Sequence, residues 1–147
     1  MVTKDDVETL YFQLLEKWNG RDAAGYAGLC APQGYVIGFD GSELIGRRAI
    51  EESLRGIFAS HPTGAYVARV RSVDILGEVA ILRAVAGMVP AGKQDLKPEL
   101  NAIQTCVMSH DGAVWRIEVL QNTPAAFHGR PEARAALTEE LRTLLRP

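Results

Sequence analysis

The fold is decided by residues 66–89, which read YVARVRSVDILGEVAILRAVAGMV. Upstream of this stretch apolar residues recur at three- and four-residue spacing, whereas within it they recur at about every second position. The dipeptide Gly77-Glu78 suits a short connection between neighbouring strands. The stretch therefore predicts two long strands, Tyr66 to Leu76 and Val79 to Val89.

Two more strands and a helix are predicted downstream. Residues 100–109 and 114–121 continue the alternation, and a short turn at His110-Asp111-Gly112 joins them. A longer polar segment, residues 90–98, links them to the first hairpin. Residues 131–145 begin with a proline that suits a first helical turn and carry leucines on one side, which predicts a closing helix.

Three helices are predicted before the long hairpin. Thr3 begins an N-cap pattern for the first helix, and Asn19-Gly20 ends it. Asp22 caps a short second helix that extends to Cys30. The third helix ends near Ser60-His61-Pro62, because proline disfavours helical conformation in the residue before it.

Together these elements predict an α+β fold in a single domain that covers residues 1–147. Asp40-Gly41 tolerates positive φ and predicts a tight hairpin between residues 35–39 and 43–45. Helices followed by long consecutive strands predict a curved, mainly antiparallel sheet wrapped around the N-terminal helices, with a C-terminal helix after it. With the helices packed on one face, the space between helices and sheet is a cone.

The composition argues against several classes of partner. The 147 residues include 16 basic and 18 acidic ones, and no run of Lys or Arg is long enough to form a phosphate-binding stripe, so we expect no nucleic-acid partner. The acidic start does not have the pattern of a secretory signal. The longest apolar stretch, residues 79–91, is broken by Arg83 and too short to span a bilayer. We therefore expect a soluble, cytoplasmic protein with no membrane partner.

No residue pattern predicts a metal ion or a cofactor. The histidines His61, His110 and His128 lack metal-ligand spacing. Cys30 and Cys106 are lone thiols without a CxxC motif, as expected of buried apolar residues. The chain also lacks a Gly-rich strand-to-helix motif for a dinucleotide.

The last predicted hairpin suggests a pocket. If its turn has three residues, Asn101 lies opposite Gln121, and alternation gathers one set of side chains on one face. That set is Asn101, Ile103, Thr105, Val107, Trp115, Ile117, Val119 and Gln121. An apolar floor with amides near the mouth is typical of a ligand pocket, although the same amides can hydrogen-bond each other at a strand end. A one-residue shift in register would instead turn Gln104 inward.

Several residues are candidates for chemistry or ligand contact, each with a structural alternative. Asp40 suits a general base but equally a hairpin turn. His61 suits an acid or base at the mouth, but also a residue that caps helix carbonyls. Arg83, pointing inward, would bind a carboxylate or polarise an enol oxygen; pointing outward, it would join a surface ion network. Tyr11 and Trp18 can contact a ligand or fill the core.

Longer motifs carry a resemblance to a known family. They are Trp18-Asn-Gly-Arg-Asp22, Gly38-Phe-Asp-Gly41, Gly46-Arg47, His61-Pro-Thr-Gly-Ala-Tyr66, VAILRAVAGMVP (residues 79–90), Leu100-Asn-Ala-Ile-Gln104 and QNTPAAFHGRPE (residues 121–132). Over nearly the whole chain they resemble the SgcJ/EcaC branch of the nuclear-transport-factor-2-like, SnoaL-like superfamily. The last two motifs are the most specific.

The resemblance implies a cystatin-like cone with a pocket between sheet and helices, and a homodimer formed through the outer sheet face. Relatives include cofactor-free isomerases, cyclases and dehydratases, and also catalytically silent binding domains. Members of the branch occur in natural-product gene clusters, including those for enediynes, and are often labelled oxidoreductases. The residues here supply no hydride carrier for that label.

The function expected from the resemblance is therefore that of an accessory protein or cofactor-independent isomerase or cyclase of antibiotic biosynthesis. Its ligand would be a small apolar, polyketide- or polyene-like molecule. A non-catalytic ligand-binding or dimeric assembly domain is the alternative.

Overall fold

A computed structural model of the protein describes residues 2–145. The α-helices are α1 (Lys4–Asn19), α2 (Ala23–Gly28), α3 (Arg47–Ser60) and α4 (Pro131–Arg142), and short 3-10 helices cover Pro98–Leu100 and Thr143–Leu145. The strands are β1 (Cys30–Ile37), β2 (Glu43–Ile45), β3 (Ala65–Leu76), β4 (Val79–Val89), β5 (Ala102–His110) and β6 (Trp115–Pro124). No helix among the described residues is both long and apolar enough to cross a membrane.

The strands form one sheet in the order β2-β1-β6-β5-β4-β3. Each neighbouring pair is antiparallel except β1 and β6, which run parallel. The predicted α+β class and mainly antiparallel sheet are confirmed, and the parallel pair makes the sheet mixed. Because Ile37 pairs with Gln121, the turn that joins β1 to β2 lies beside the end of β6.

The predicted caps and the first hairpin turn are confirmed. Thr3 and Asp6 form a complete capping box at the start of α1, each side chain accepting a hydrogen bond from the other's backbone N–H. Asp22 caps α2 through the Gly25 N–H at 2.8 Å. Gly41 has a φ of +91°, the left-handed conformation that favours glycine in a tight turn.

One predicted boundary is wrong, because α2 ends at Gly28 and Cys30 already belongs to β1. Pro32 is tolerated inside this strand for two reasons. The pairing of β1 with β6 is irregular between Cys30 and Tyr35, and β2 covers only residues 35–37 of the other edge. Proline is compatible with an unpaired strand edge, so it did not mark the end of a helix here.

The main core lies between α1–α3 and one face of the sheet, which we call the inner face. Ala84 of β4, Cys106 and Met108 of β5 and Leu120 of β6 belong to this core, each at most 3% exposed. The helices contribute a matching apolar stripe that consists of Val7, Tyr11, Leu14, Tyr26, Ile50 and Leu54. The inner face is therefore already covered before the chain reaches α4.

The last helix, α4, lies on the opposite, outer face, so the prediction that all helices pack on one face is wrong. Val85 and Ile103 alternate with the inner residues and form a second apolar cluster with Leu137 and Leu141 of α4. The leucines of α4 need an apolar surface to cover, and the outer face still offers one. Both faces of the central strands are consequently apolar.

The register of β5 and β6 also differs from the prediction, and the face of β5 that was predicted to line the cone is the outer one. His110 pairs with Trp115, and a bulge next to Val107 shifts the pairing further, so that Gln104 lies opposite Asn122. The even-numbered residues of β5 face the core, and its odd-numbered residues, which were predicted to line the cone, face outward. Of the predicted residues on β6, Val119 and Gln121 face outward, whereas the bulge turns Ile117 into the core. Since both faces carry apolar residues, alternation alone did not identify the inner one.

Candidate functional site

A cavity of about 310 Å³ lies between the helices and the inner face of the sheet, and we call it the cone pocket. Its lining residues are Leu15, Trp18, Tyr26, Val36, Gly38, Phe39, Asp40, Ser42, Leu44, Leu54, Ile57, Tyr66, Met88, Leu120 and Asn122. Most of them are aliphatic or aromatic, and the polar groups are a few hydroxyls, the Asn122 amide and the Asp40 carboxylate. An apolar space with few polar groups is typical of a small-molecule site.

A chain of hydrogen bonds runs from the core to the wall of the cone pocket. Tyr11 Oη donates to Gln104 Oε1, and Gln104 Nε2 donates to Asn122 Oδ1 at 2.8 Å. Asn122 Nδ2 then donates to the Ile37 carbonyl oxygen at 3.0 Å. Among the described residues Asn122 uses only one of its two Nδ2 hydrogens, which leaves an N–H for a ligand.

The titratable groups of the cone pocket have pKa values displaced away from neutrality. Burial raises the pKa of Tyr66 to about 12 and raises the pKa of Tyr26 well above its ordinary value. Hydrogen bonds from Ser42, first from its backbone N–H at 2.9 Å, lower the pKa of Asp40. At neutral pH the pocket therefore holds neutral phenols and one ionised carboxylate.

Trp18 is both a core residue and part of the pocket wall. Its Nε1 donates to the Gly64 carbonyl oxygen at 2.9 Å. Its ring centroid lies 5.2 Å from that of Phe58 and 5.6 Å from that of Tyr66. These contacts hold the indole in one orientation, as aromatic clusters do.

Three of the residues predicted from the sequence are exposed and lie outside the lining of the cone pocket. His61 is exposed and occupies the C-cap of α3, where its N–H bonds to Ile57 O and its Nδ1 shares a 2.8 Å hydrogen bond with Ser60 Oγ. Arg83 is exposed on the outer face, where its Nε donates to Ser72 Oγ at 3.3 Å. Gln121 is exposed on the outer face opposite Thr105.

Asn101 and Trp115 lie in other parts of the molecule. Asn101 is 1% exposed beneath α4, where its Nδ2 donates to Thr138 Oγ1 at 2.8 Å. Trp115 is half-buried, with its ring 5.0 Å from that of His110, and lines a separate cavity of about 440 Å³ beside α1. Of the predicted site residues, Asp40 and Trp18 line the cone pocket, and Tyr11 and Gln104 reach it through the hydrogen-bond chain.

Asn122 is the pocket residue that sequence reasoning placed wrongly, because the predicted alternation put Gln121 on the inner face and so turned Asn122 to the reverse face. The sequence of β5 contains a signal that could have identified Asn122. Gln104 interrupts the buried set Ala102, Cys106 and Met108, and a buried amide in an apolar row needs a polar partner. Asn122 supplies that partner, because it lies opposite Gln104 on the same face of the sheet.

No group of three or more His, Cys, Asp or Glu side chains among residues 2–145 is arranged to hold a metal ion. The two cysteines are free and buried, and burial raises the pKa of the Cys30 thiol to about 12. A protonated thiol is a poor nucleophile and a poor metal ligand.

The SnoaL-like domain model matches residues 7–125 of the chain. No curated protein matches the sequence significantly. Among solved structures, a domain of unknown function with a cystatin-like fold from Nostoc punctiforme is 20% identical, with a TM-score of 0.79 over 97% of this chain and 98% of its own. An NTF2-like protein with a cystatin-like fold from Novosphingobium aromaticivorans is 18% identical, with a TM-score of 0.70 over 91% and 87%.

A third structure, a proposed dehydratase of the NTF2-like family from Streptomyces avermitilis, is 15% identical, with a TM-score of 0.65 over 83% of this chain and 95% of its own. At these identities the structures are similar in fold. They confirm the cystatin-like cone architecture.

Proposed function

Because this chain belongs to the SnoaL-like domain family, we propose that it binds a small, mostly apolar molecule in the cone pocket. The observation that carries the proposal is a cavity of about 310 Å³ whose walls are apolar apart from a few polar groups. The Asn122 amide orients the ligand by donating its free N–H to a carbonyl or hydroxyl oxygen. The hydrogen-bond chain through Gln104 to Tyr11 holds that amide in place.

Binding without proton transfer agrees best with the titratable groups. A general acid or base works best when its pKa lies near the operating pH. The pKa of Asp40 is lowered and those of Tyr26 and Tyr66 are raised, so each is far from that value. The leading form of the proposal is therefore a ligand-binding or accessory protein.

A second candidate is cofactor-independent isomerisation or cyclisation, and one observation favours it: an ionised carboxylate, Asp40, lines the cone pocket. Asp40 would take a proton from the carbon next to a carbonyl group, while Asn122 donates to the developing enolate oxygen. The same proton returns to another carbon of the ligand, so no co-reactant is consumed. His61 and Arg83, outside the pocket lining, have no part in this step.

The sequence motifs also bear on the chemical class of the proposed ligand. The resemblance to the SgcJ/EcaC branch supports a polyketide- or polyene-like natural-product intermediate, including the enediyne type. An aromatic and aliphatic lining suits such a molecule, because flat unsaturated chains stack on aromatic rings.

Binding is tested by calorimetric titration with decan-2-one, an apolar chain with one carbonyl group. We expect Leu44→Trp to abolish binding, since Leu44 lines the cone pocket and an indole would fill it. Ile45→Trp is the matched control, because the neighbouring side chain is 61% exposed and lies outside the pocket. Equal binding by both variants would refute the pocket as the site.

The role of Asn122 is tested with the same ketone. Asn122→Leu should weaken its binding about 3- to 10-fold, the effect of one net hydrogen bond. Gln121→Leu removes the adjacent, exposed amide and should leave the affinity unchanged. An unchanged affinity for Asn122→Leu, with the fold intact by circular dichroism, would exclude Asn122 from ligand recognition.

The catalytic candidate is tested by proton exchange. In D2O, the hydrogens beside the ketone carbonyl of decan-2-one should exchange faster with the protein, and Asp40→Asn should remove that acceleration without weakening binding. Asp74→Asn, an exposed carboxylate on the outer face, is the control. If the wild-type protein does not accelerate exchange, this candidate fails and the binding proposal stands.

We further propose that a second copy of the chain covers the part of the outer face that α4 leaves open. Tyr35, Leu76 and Val79 are 40%, 61% and 39% exposed there, beside the half-buried Val107 and Val119. Exposed apolar patches of this kind mark interaction surfaces. Light scattering should give a dimer mass for the wild type and a monomer mass for Val107→Glu; a monomeric wild type would refute the dimer.

A further inference from the structure

A second concave surface shares one lining residue, Met88, with the cone pocket. A groove of about 840 Å³ runs along the β4–β5 connection, and we call it the lysine groove; its lining residues are Pro62, Gly64, Met88, Pro90, Ala91, Lys93, Gln94, Asp95, Leu96, Lys97, Pro98 and Leu100. Met88 lines both spaces. Met88 is therefore the lining residue that the two spaces share.

Met88 is suited to be a movable wall. It is half-buried, and it packs so closely on Gly64 that a Cβ added there would lie 2.6 Å from Met88 Cγ and 2.9 Å from Sδ. The backbone of Gly64 is held by Trp18 Nε1, and Tyr66 pairs with Met88 across the strands. Methionine has three rotatable side-chain bonds, so a change of rotamer can open the wall without moving these neighbours.

Among the described residues in and beside the lysine groove, the acidic side chains have ionic partners and the lysines do not. Asp95 receives Arg142 Nε at 3.0 Å, and Glu99 lies 3.3 Å from Arg134, so both acids of the connection are paired with α4. Lys93 and Lys97 are exposed, and neither has a carboxylate partner among the described residues. The Lys97 N–H bonds to Met88 O at 3.0 Å, which holds this lysine next to the wall.

We propose that the ligand of the cone pocket carries an anionic head group, a carboxylate or a phosphate, that passes Met88 and lies beside Lys93 and Lys97. The inference rests on the proposed binding function and specifies the ligand. Asp40, an exposed carboxylate at the β1–β2 turn, carries a like charge and weakly disfavours an anion at that end of the pocket, whereas the lysines favour it at the other. The apolar body of the ligand stays in the cone pocket, where the walls match it.

The proposal is tested by calorimetric titration of the full chain with decanoate, decyl phosphate and decanol below their micellar concentrations. The wild type should bind at least one anion about 3- to 30-fold more tightly than decanol at low salt, because two exposed charge pairs contribute modestly. Lys93→Gln with Lys97→Gln should reduce that preference to within about 2-fold and leave the affinity for decanol unchanged. High salt should weaken the preference in the wild type.

A double variant with the same change in net charge, Lys4→Gln with Arg48→Gln, is the control. Both residues are exposed at other places on the surface, so the preference for an anion should persist. A preference shared by decanoate and decyl phosphate assigns a general anion site, and a preference for one of them assigns that head group.

The head-group proposal is overturned if the wild type binds decanol as tightly as both anions, or if the lysine variant keeps the preference. In either case the binding function stands as long as Leu44→Trp still abolishes decanol binding. If none of the three probes binds the wild type, or if Leu44→Trp binds them as well as the wild type, the binding function itself is wrong.

Discussion

Gln104 and Asn101 are both buried amides only three residues apart, yet they serve opposite faces of the sheet. Gln104, on the inner face, uses its oxygen for Tyr11 and its nitrogen for Asn122, and the chain ends at the wall of the cone pocket. Asn101, beneath α4, donates to Thr138, and its Oδ1 has no partner among the described residues. The Gln104 amide therefore supports the cone pocket, whereas the Asn101 amide attaches α4 to the outer face of the sheet.

The two faces of the sheet also differ in whether charged side chains make their contacts. On the outer face Glu140 of α4 receives both Arg71 nitrogens at 2.5 and 2.7 Å and lies 3.3 Å from Arg69 Nε. The inner face relies on neutral hydrogen bonds and apolar packing. Inner contacts thus line an apolar cavity, whereas outer contacts hold α4 on the sheet with partly exposed ion pairs.

The largest expected effect on stability comes from breaking the hydrogen-bond chain of Tyr11, Gln104 and Asn122. Gln104→Leu should lower the free energy of unfolding by about 2–6 kcal/mol, because it leaves Tyr11 Oη and Asn122 Oδ1 buried without partners at about 1–3 kcal/mol each. Urea unfolding measures the change. Adding Tyr11→Phe should cost less than the sum of the two single changes; strict additivity would contradict a coupled chain.

A smaller effect is expected beneath α4. Thr138→Val keeps the shape of the side chain but removes the acceptor of the Asn101 amide, and should cost about 1–3 kcal/mol of unfolding free energy. Because this residue is remote from the cone pocket, the affinity for decan-2-one should not change. A loss of ligand affinity in a folded Thr138→Val protein would mean that the two faces are coupled.

The smallest effect is expected for the ion pairs of the outer face. Glu140→Gln should cost about 0.2–1 kcal/mol, less in high salt, because its partners are partly exposed to solvent. Glu52→Gln, which breaks the lone and more exposed pair with Arg48, should cost less still. Thermal unfolding at two salt concentrations compares the two variants.

The stability contributed by the Glu140–Arg71 ion pair should decrease at low pH. The hydrogen bond from Arg71 lowers the pKa of Glu140 in the folded state below its ordinary value of 4.5. The stabilisation is therefore present above that value and is lost as the pH falls through the lower folded-state pKa. The difference between wild type and Glu140→Gln should shrink on acidification from pH 7; a difference that persists in strong acid would argue against the ion pair.

Much of the fold was predictable because its signals are local. The capping box of Thr3 and Asp6 and the turn at Asp40-Gly41 are formed by residues within a few positions of each other. The boundary at Cys30 was not predictable, because its strand β1 pairs with β6, which lies almost ninety residues away in the sequence. The irregular pairing leaves an edge of β1 free at Pro32, where proline is tolerated.

The candidate site was only partly predictable. Asp40 and Trp18, for which the sequence left a structural role equally open, line the cone pocket, and Tyr11 supports it through Gln104. Arg83 could not be assigned to a face from an apolar strand with both sides covered, and His61 could not be separated from a helix cap. Asn122 was placed on the wrong face because both faces of the sheet carry apolar residues, so alternation did not identify the inner one.

By itself, the sequence determined the order of helices and strands, their caps and turns, and the α+β class, because apolar period and turn chemistry act over short distances. Only the tertiary structure decided which face of β5 lines the cone, that α4 covers the other face, and that Gln104 and Asn122 share a buried hydrogen bond. Those choices depend on register and on which apolar surfaces remain uncovered. Both are properties of contacts between distant segments.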